Sequence, residues 1–188
     1  MAGPAYLVID LEATCSNDDT VPRREMEIIE IGAVLAGADF RPIDEYQTFI
    51  RPVRHASLTA FCMDLTTIRQ ADVTGAPGFA AAISEFKRWL YDHGQEFLFC
   101  SWGDYDRRQL QQDCDFHRVP FPLGAAHVNA KKSFALAQGL RKRPGLGTAV
   151  ALAHLEFEGT PHRGITDARN IARLLPYIFG DKRLPQAT

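Results

Sequence analysis

The run Ala5–Leu11, AYLVIDL, is the most constraining stretch of this chain, because an apolar, β-branched segment meets two acids at its end. Val8 and Ile9 favour a buried strand, which is expected over residues 5–11. Asp10 and Glu12 stand two residues apart, so on a strand both carboxylates leave from the same face. Two like charges on one face repel unless a cation lies between them, and hard divalent cations take carboxylate oxygens. A solvated strand end is the competing reading of this pair.

The rest of the pattern is α/β. Residues 12–25 carry Ser16, Asn17, Asp18, Asp19 and Pro22 and read as a loop. Strands are expected over 26–36 and 43–51, with a hairpin turn at Gly37–Asp39, giving a three-stranded antiparallel meander. Ser57 and Thr66 are candidate N-caps of two short helices. Phe79, Ile83, Phe86 and Leu90 recur at helical spacing within 78–93, and Gly94 follows as a stop. A buried strand at 97–101 leads into a helix ending near His117. A short edge strand is expected at 126–129, then helices over 131–140, 147–155 and 164–179. This order gives strands alternating with helices around a mixed central sheet flanked by helices. With 188 residues and no Gly-, Pro- or Ser-rich linker, one domain is expected, with its core at about 5–180.

Composition narrows the classes. Hydrophobic residues make up 46% and charged residues 23%, which argues against disorder and repeat arrays. No apolar run is long enough to span a membrane, and the N-terminal segment lacks the pattern of a secretory signal. Four cysteines without C-x-x-C spacing read as free thiols, so a reducing, cytoplasmic setting is expected. The formal net charge of −2 gives no strong basic field. Carboxylates occupied by metal would leave the remainder mildly positive, so a nucleic-acid partner stays compatible. Lys131, Lys132, Arg141, Lys142 and Arg143 could then track phosphates, or form a solvated surface.

Three further side chains carry chemistry. His162 stands in a Gly/Pro loop five residues before Asp167. Asp167, Ile171, Leu174 and Ile178 fall on one helical stripe, so this acid faces the core and needs a partner. A loop His beside it suits a general base. Another acid comes from SWGDYDRRQL, with Asp104 and Asp106 as candidates. Asp106 shares a face with Leu110 and Cys114 and is the inward carboxylate. Asp104 lines up with Arg107, Arg108, Gln111 and Gln112 and reads as the N-cap. Walker, dinucleotide-binding and nucleophile-elbow motifs are missing.

DLEAT at Asp10–Thr14, IIEIGAV at Ile28–Val34, YDRRQL at Tyr105–Leu110 and H-x-x-x-x-D at His162–Asp167 together resemble the DEDDh 3′–5′ exonucleases, which have an RNase H-like fold. DLEATC, FCMDLTTI at Phe61–Ile68, SWGDYD and HRGITDARNIARL resemble the group of histone-mRNA 3′-end and RNA-interference-suppressing exonucleases. That group usually has His where Met26 stands and Gly where Thr67 stands, and an accessory nucleic-acid-binding domain is not expected ahead of these residues.

The resemblance implies a metal-dependent exoribonuclease acting from the free 3′ end of single-stranded RNA, with DNA as a second candidate substrate and the preference between them left open. Asp10, Glu12, Asp106 and Asp167 would hold two Mg²⁺ or Mn²⁺ ions, and His162 would act as general base. Ala13, Thr14, Phe61, Leu65 and Tyr105 would contact the terminal nucleotide. Phe61 and Leu65 read equally as core from their spacing alone. The alternatives are a DNA-proofreading or short-oligonucleotide exonuclease with the same site, and a catalytically silent nucleic-acid-binding module. Oligomeric state is left open.

Overall fold

The structure is a computed structural model that describes residues 4–94 and 96–185. Its centre is a five-stranded mixed sheet. The strands are β1 (Ala5–Ala13), β2 (Ile28–Ala36), β3 (Pro42–Phe49), β4 (Phe97–Ser101) and β5 (His127–Asn129). Their order is β3-β2-β1-β4-β5. β1 pairs antiparallel with β2 and parallel with β4. The expected meander is present, and β1 runs two residues past the expected end. Glu12 therefore lies within the ladder, opposite Glu30, and Asp10 lies opposite Gly32.

Strand alternation divides the core. Leu7, Ile9 and Leu11 face one side and pack with Phe79, Ile83 and Phe86 of α3 (Phe79–Asp92) and Leu110 and Cys114 of α4 (Tyr105–His117). Tyr6 and Val8 face the other side. There they meet α5 (Ala130–Ala137), α6 (Leu146–Leu152), α7 (Gly164–Arg173) and α8 (Leu175–Ile178). Asp10 and Glu12 continue the Tyr6–Val8 row, so both acids emerge on the α7 side of the sheet. A smaller cluster of Ile29, Leu58, Cys62, Ile68 and Val73 lies under α1 (Ala60–Thr66) and α2 (Gln70–Thr74).

Several local expectations are corrected. Thr59, not Ser57, caps α1, its hydroxyl accepting the Cys62 N–H at 3.0 Å. Thr66 closes that helix instead of starting the next one, and its hydroxyl donates to the Cys62 carbonyl at 2.8 Å. α2 begins after Arg69, whose N–H is accepted by Asp72 at 2.8 Å. The expected helix over 164–179 is two helices broken at Leu174. Pro176 has no N–H to donate and clashes with a continuous ladder. Asp104 does occupy the N-cap position of α4, but its side chain caps nothing.

Thr67 caps α1 with φ +58, and its N–H donates to the Met63 carbonyl at 2.8 Å. The left-handed conformation explains why glycine suits this position, since a β-branched residue is strained there. All four cysteines are free thiols. Among the described residues no helix is long and apolar enough to cross a membrane.

Candidate functional site

The site is built by how α7 meets the sheet. Gly32 presents no side chain toward α7, and a Cβ there would lie 2.0 Å from the Gly164 carbonyl carbon. The first turn of α7 therefore rests directly on the β1–β2 backbone. Glu30, fully buried beside it, accepts the Gly164 N–H at 3.0 Å and the Arg163 Nε at 3.0 Å. Its other oxygen accepts Gln47 Nε2 at 2.6 Å. A buried carboxylate needs such partners, and Glu30 has them from two sides.

This docking brings the C-terminal residues to the N-terminal acids. Asp10, Glu12, Tyr105, Asp106, His162 and Asp167 line one cleft of about 240 Å³, joined by Leu11, Trp102 and Leu146. Glu12, His162 and Asp167 each offer a ligand atom within 4.8 Å of the others. Asp106 is 5% exposed and accepts the Leu11 N–H at 3.1 Å, which fixes α4 against β1. Asp104 points away, with a carboxylate oxygen 3.9 Å from His127 Nδ1. Asp106 rather than Asp104 therefore joins the acidic cleft.

His162 is exposed and has φ +59. Its N–H donates to Asp167 Oδ2 at 3.2 Å, so the backbone that carries the imidazole is tied to an acid of the cleft. Asp167 Oδ1 is buried and has no hydrogen-bond partner among the described residues.

Burial and mutual repulsion dominate the electrostatics. The Asp10 carboxyl is pushed well above the usual carboxylate range, first by burial and then by Asp106, Glu12 and Asp167. Glu12 is raised to about 8, by burial and then by Asp167 and Glu30. Burial is also the largest cause for Asp106 and Asp167, each raised to about 6. Four carboxylates that cannot all ionise together, one with an orphaned oxygen, fit a divalent cation.

The expected nucleotide contacts are placed unevenly. Tyr105 lines the cleft and is 47% exposed. Phe61 and Leu65 stand on the outer side of α1, half-buried and exposed, and are not core. α1 lies beside the end of β1, where Cys62 Sγ approaches the Ala13 carbonyl at 3.7 Å. Ala13 and Thr14 are buried, and the Thr14 hydroxyl accepts the Glu27 N–H at 2.9 Å. None of these four lines the cleft. Glu30 and Gly32 are the residues that sequence reasoning passed over as site-builders. An acid inside the apolar run IIEIGAV was the available signal, because a buried charge requires a partner.

Comparison with known proteins gives the family and the fold. An exonuclease family model matches residues 7–175. ERI1 exoribonuclease 3 of Homo sapiens is 32% identical over 178 residues, covering 90% of this chain and 52% of that protein. The 3′-5′ exoribonuclease 1 of Mus musculus is 30% identical over 192 residues, covering 96% of this chain and 55% of that protein. The chain thus spans about half the length of the curated relatives it matches. The nuclease domain of 3′hExo, a DEDDh family member solved with rAMP bound, superposes with a TM-score of 0.87 at 25% identity, covering 98% of both chains.

Proposed function

Because the chain belongs to the exonuclease family, in the DEDDh group of histone-mRNA 3′-end exonucleases, we propose that it removes nucleotides one at a time from the 3′ end of single-stranded RNA. Residues 5–180 act as one catalytic unit. The observation that carries the reading is the convergence of Asp10, Glu12, Asp106, His162 and Asp167 in a single cleft. The relatives named as exoribonucleases favour RNA over DNA as the substrate. Four free thiols support a reducing, cytoplasmic setting.

Asp10, Glu12, Asp106 and Asp167 are the residues that would hold two Mg²⁺ or Mn²⁺ ions. Such ions would supply positive charge to stabilise the charge that develops on the phosphate during displacement. The protein's own groups do the rest. The His162 imidazole takes the proton of the attacking water, and its exposed loop position leaves it free to reach that water. The new P–O bond forms as the bond to the 3′ oxygen breaks, and that oxygen takes a proton from solvent water. The products are a nucleoside 5′-monophosphate and a chain one nucleotide shorter. The Leu11 N–H holds the Asp106 carboxylate in place, and Glu30 holds Gly164, two residues after the base. The exposed ring of Tyr105 stacks the terminal base without selecting it. Phe61 and Leu65 complete that platform from α1, while Ala13 and Thr14 shape the floor behind it.

The test is a gel time course on 5′-labelled single-stranded RNA and DNA of the same sequence, with Mg²⁺, Mn²⁺ or EDTA. A ladder shortening from the 3′ end, dependent on metal and lost in Asp10→Ala, is expected. Equal cleavage by folded Asp10→Ala would overturn the assignment. His162→Ala is expected to keep RNA binding and lose roughly 10²–10⁴ in turnover.

A further inference from the structure

Two depressions of about 410 and 510 Å³ share Asp104 and His127. Arg107 and Arg108 line the first, and Lys132 and Arg143 line the second. Both link along the chain to the cleft. Asp104 directly precedes Tyr105, and Arg143 stands three residues before Leu146, which lines the cleft wall.

The four cations are unpaired. Among the described residues, none of Arg107, Arg108, Lys132 and Arg143 makes a salt bridge, as is true of most Lys and Arg side chains here, and Arg107 lies 6.0 Å from the centroid of the Phe121 ring. What sets these four apart is that they line two depressions with a single acid. Asp104 is the single acid lining either depression, and its carboxylate leans toward His127 instead. The buried Nε of Arg107 has no hydrogen-bond partner among the described residues. Arg108, Lys132 and Arg143 are exposed, so their charged donors, unlike the buried Arg107 Nε, are open to an anionic acceptor. The groove is polar and open, which suits a flexible polyanion better than a packed apolar partner.

We infer that Arg107, Arg108, Lys132 and Arg143 form the track that grips the phosphates of the RNA strand just upstream of the nucleotide being removed. This inference rests on the exonuclease reading and extends it to the strand path. It explains how a chain of net charge −2 holds RNA: the positive field is local to one side of the cleft. Of the basic cluster in the sequence, Lys132 and Arg143 belong to the track because the fold sets them across one depression. Lys131, Arg141 and Lys142 do not line it.

The test separates grip from chemistry. The full chain, the variant Arg107→Ala/Arg108→Ala/Lys132→Ala/Arg143→Ala, and a milder Arg108→Ala/Lys132→Ala/Arg143→Ala that keeps half-buried Arg107 are compared. Lys87→Ala/Arg88→Ala on α3 is the control. Binding of a fluorescein-labelled 12-nucleotide single-stranded RNA is measured in EDTA across a salt series. Hydrolysis of the p-nitrophenyl ester of thymidine 5′-monophosphate, which has no upstream phosphate, is measured with Mn²⁺.

Both track variants are expected to bind the RNA about tenfold or more weakly at moderate salt. The salt slope is expected to fall by about 0.7 for each phosphate that is no longer neutralised. Ester hydrolysis and the control should match the parent protein. Unchanged affinity and slope in the folded milder variant would overturn the track. An equal loss of ester hydrolysis would also overturn it, by showing damage to the cleft. Failure of the parent protein to cleave either substrate would sink the exonuclease reading alone, because the binding comparison is made without turnover.

Discussion

The Glu30 carboxylate accepts the Gly164 N–H at 3.0 Å, joining a buried residue of β2 to the first residue of α7 across 134 positions of sequence. The same carboxylate binds Arg163, so the two residues that follow His162 are anchored while His162 itself stays exposed. Glu30→Gln keeps the shape and removes the charge. It is expected to lower stability by about 2 kcal/mol, the scale of a hydrogen bond to a charged group. It should reduce kcat more than it raises KM. Chemical denaturation and steady-state kinetics together check this.

Gly32→Ala tests the docking more severely. Its new Cβ would meet the Gly164–Ile165 backbone at 2.0 Å, and backbone cannot swing aside. The expected cost is about 3 kcal/mol, at the upper end of ordinary overpacking, with activity falling as α7 lifts from β1. A variant with unchanged melting temperature would show that this approach is not close in solution.

Thr67 offers the opposite sign. Its φ of +58 is unfavourable for a β-branched side chain, and the residue is exposed. Thr67→Gly relieves that strain and gives back some through a freer unfolded chain. A net gain of about 1 kcal/mol is expected in a denaturant titration, with exonuclease turnover unaltered.

The acid cleft makes the metal-free protein sensitive to pH. Asp106 and Asp167 are raised to about 6 and Glu12 to about 8, so the folded state holds protons more tightly than the unfolded chain. The stability from those protons is complete below the ordinary carboxylate range and is lost as pH rises through 6 to 8. In EDTA the melting temperature is expected to fall between pH 5 and pH 8. Added Mn²⁺ should raise it more at pH 8 than at pH 5, since ionised ligands bind the cation. An equal effect of Mn²⁺ at both values would contradict the cluster.

Asp104 and Asp106 differ by two residues and are expected to differ widely in consequence. Asp106→Asn retains the acceptor for the Leu11 N–H and removes one charge from the cleft. Activity should drop by roughly 10²–10³-fold, the scale of losing one preorganised electrostatic partner. Asp104→Asn, on the outer side of the helix, should leave ester hydrolysis intact.

Short-range periodicity was enough for much of this. A period of two placed Asp10 and Glu12 on one face of β1, and a period of 3.6 chose Asp106 over Asp104. The α/β class followed from the order of elements, and His162 and Asp167 stood out by their loop and stripe positions. All of these depend only on neighbours along the chain. The role of Glu30, the bare patch at Gly32 and the pairing of Lys132 with Arg143 across one groove depend on β1–β2 register and on how α5, α6 and α7 pack. The break at Leu174 and the cap at Thr59 turned on single backbone donors that a hydrophobic pattern does not register. The local sequence determined which side chains face inward. Tertiary packing alone decided which inward residues meet, because contacts between residues 30 and 164 arise only when the sheet and α7 close on each other.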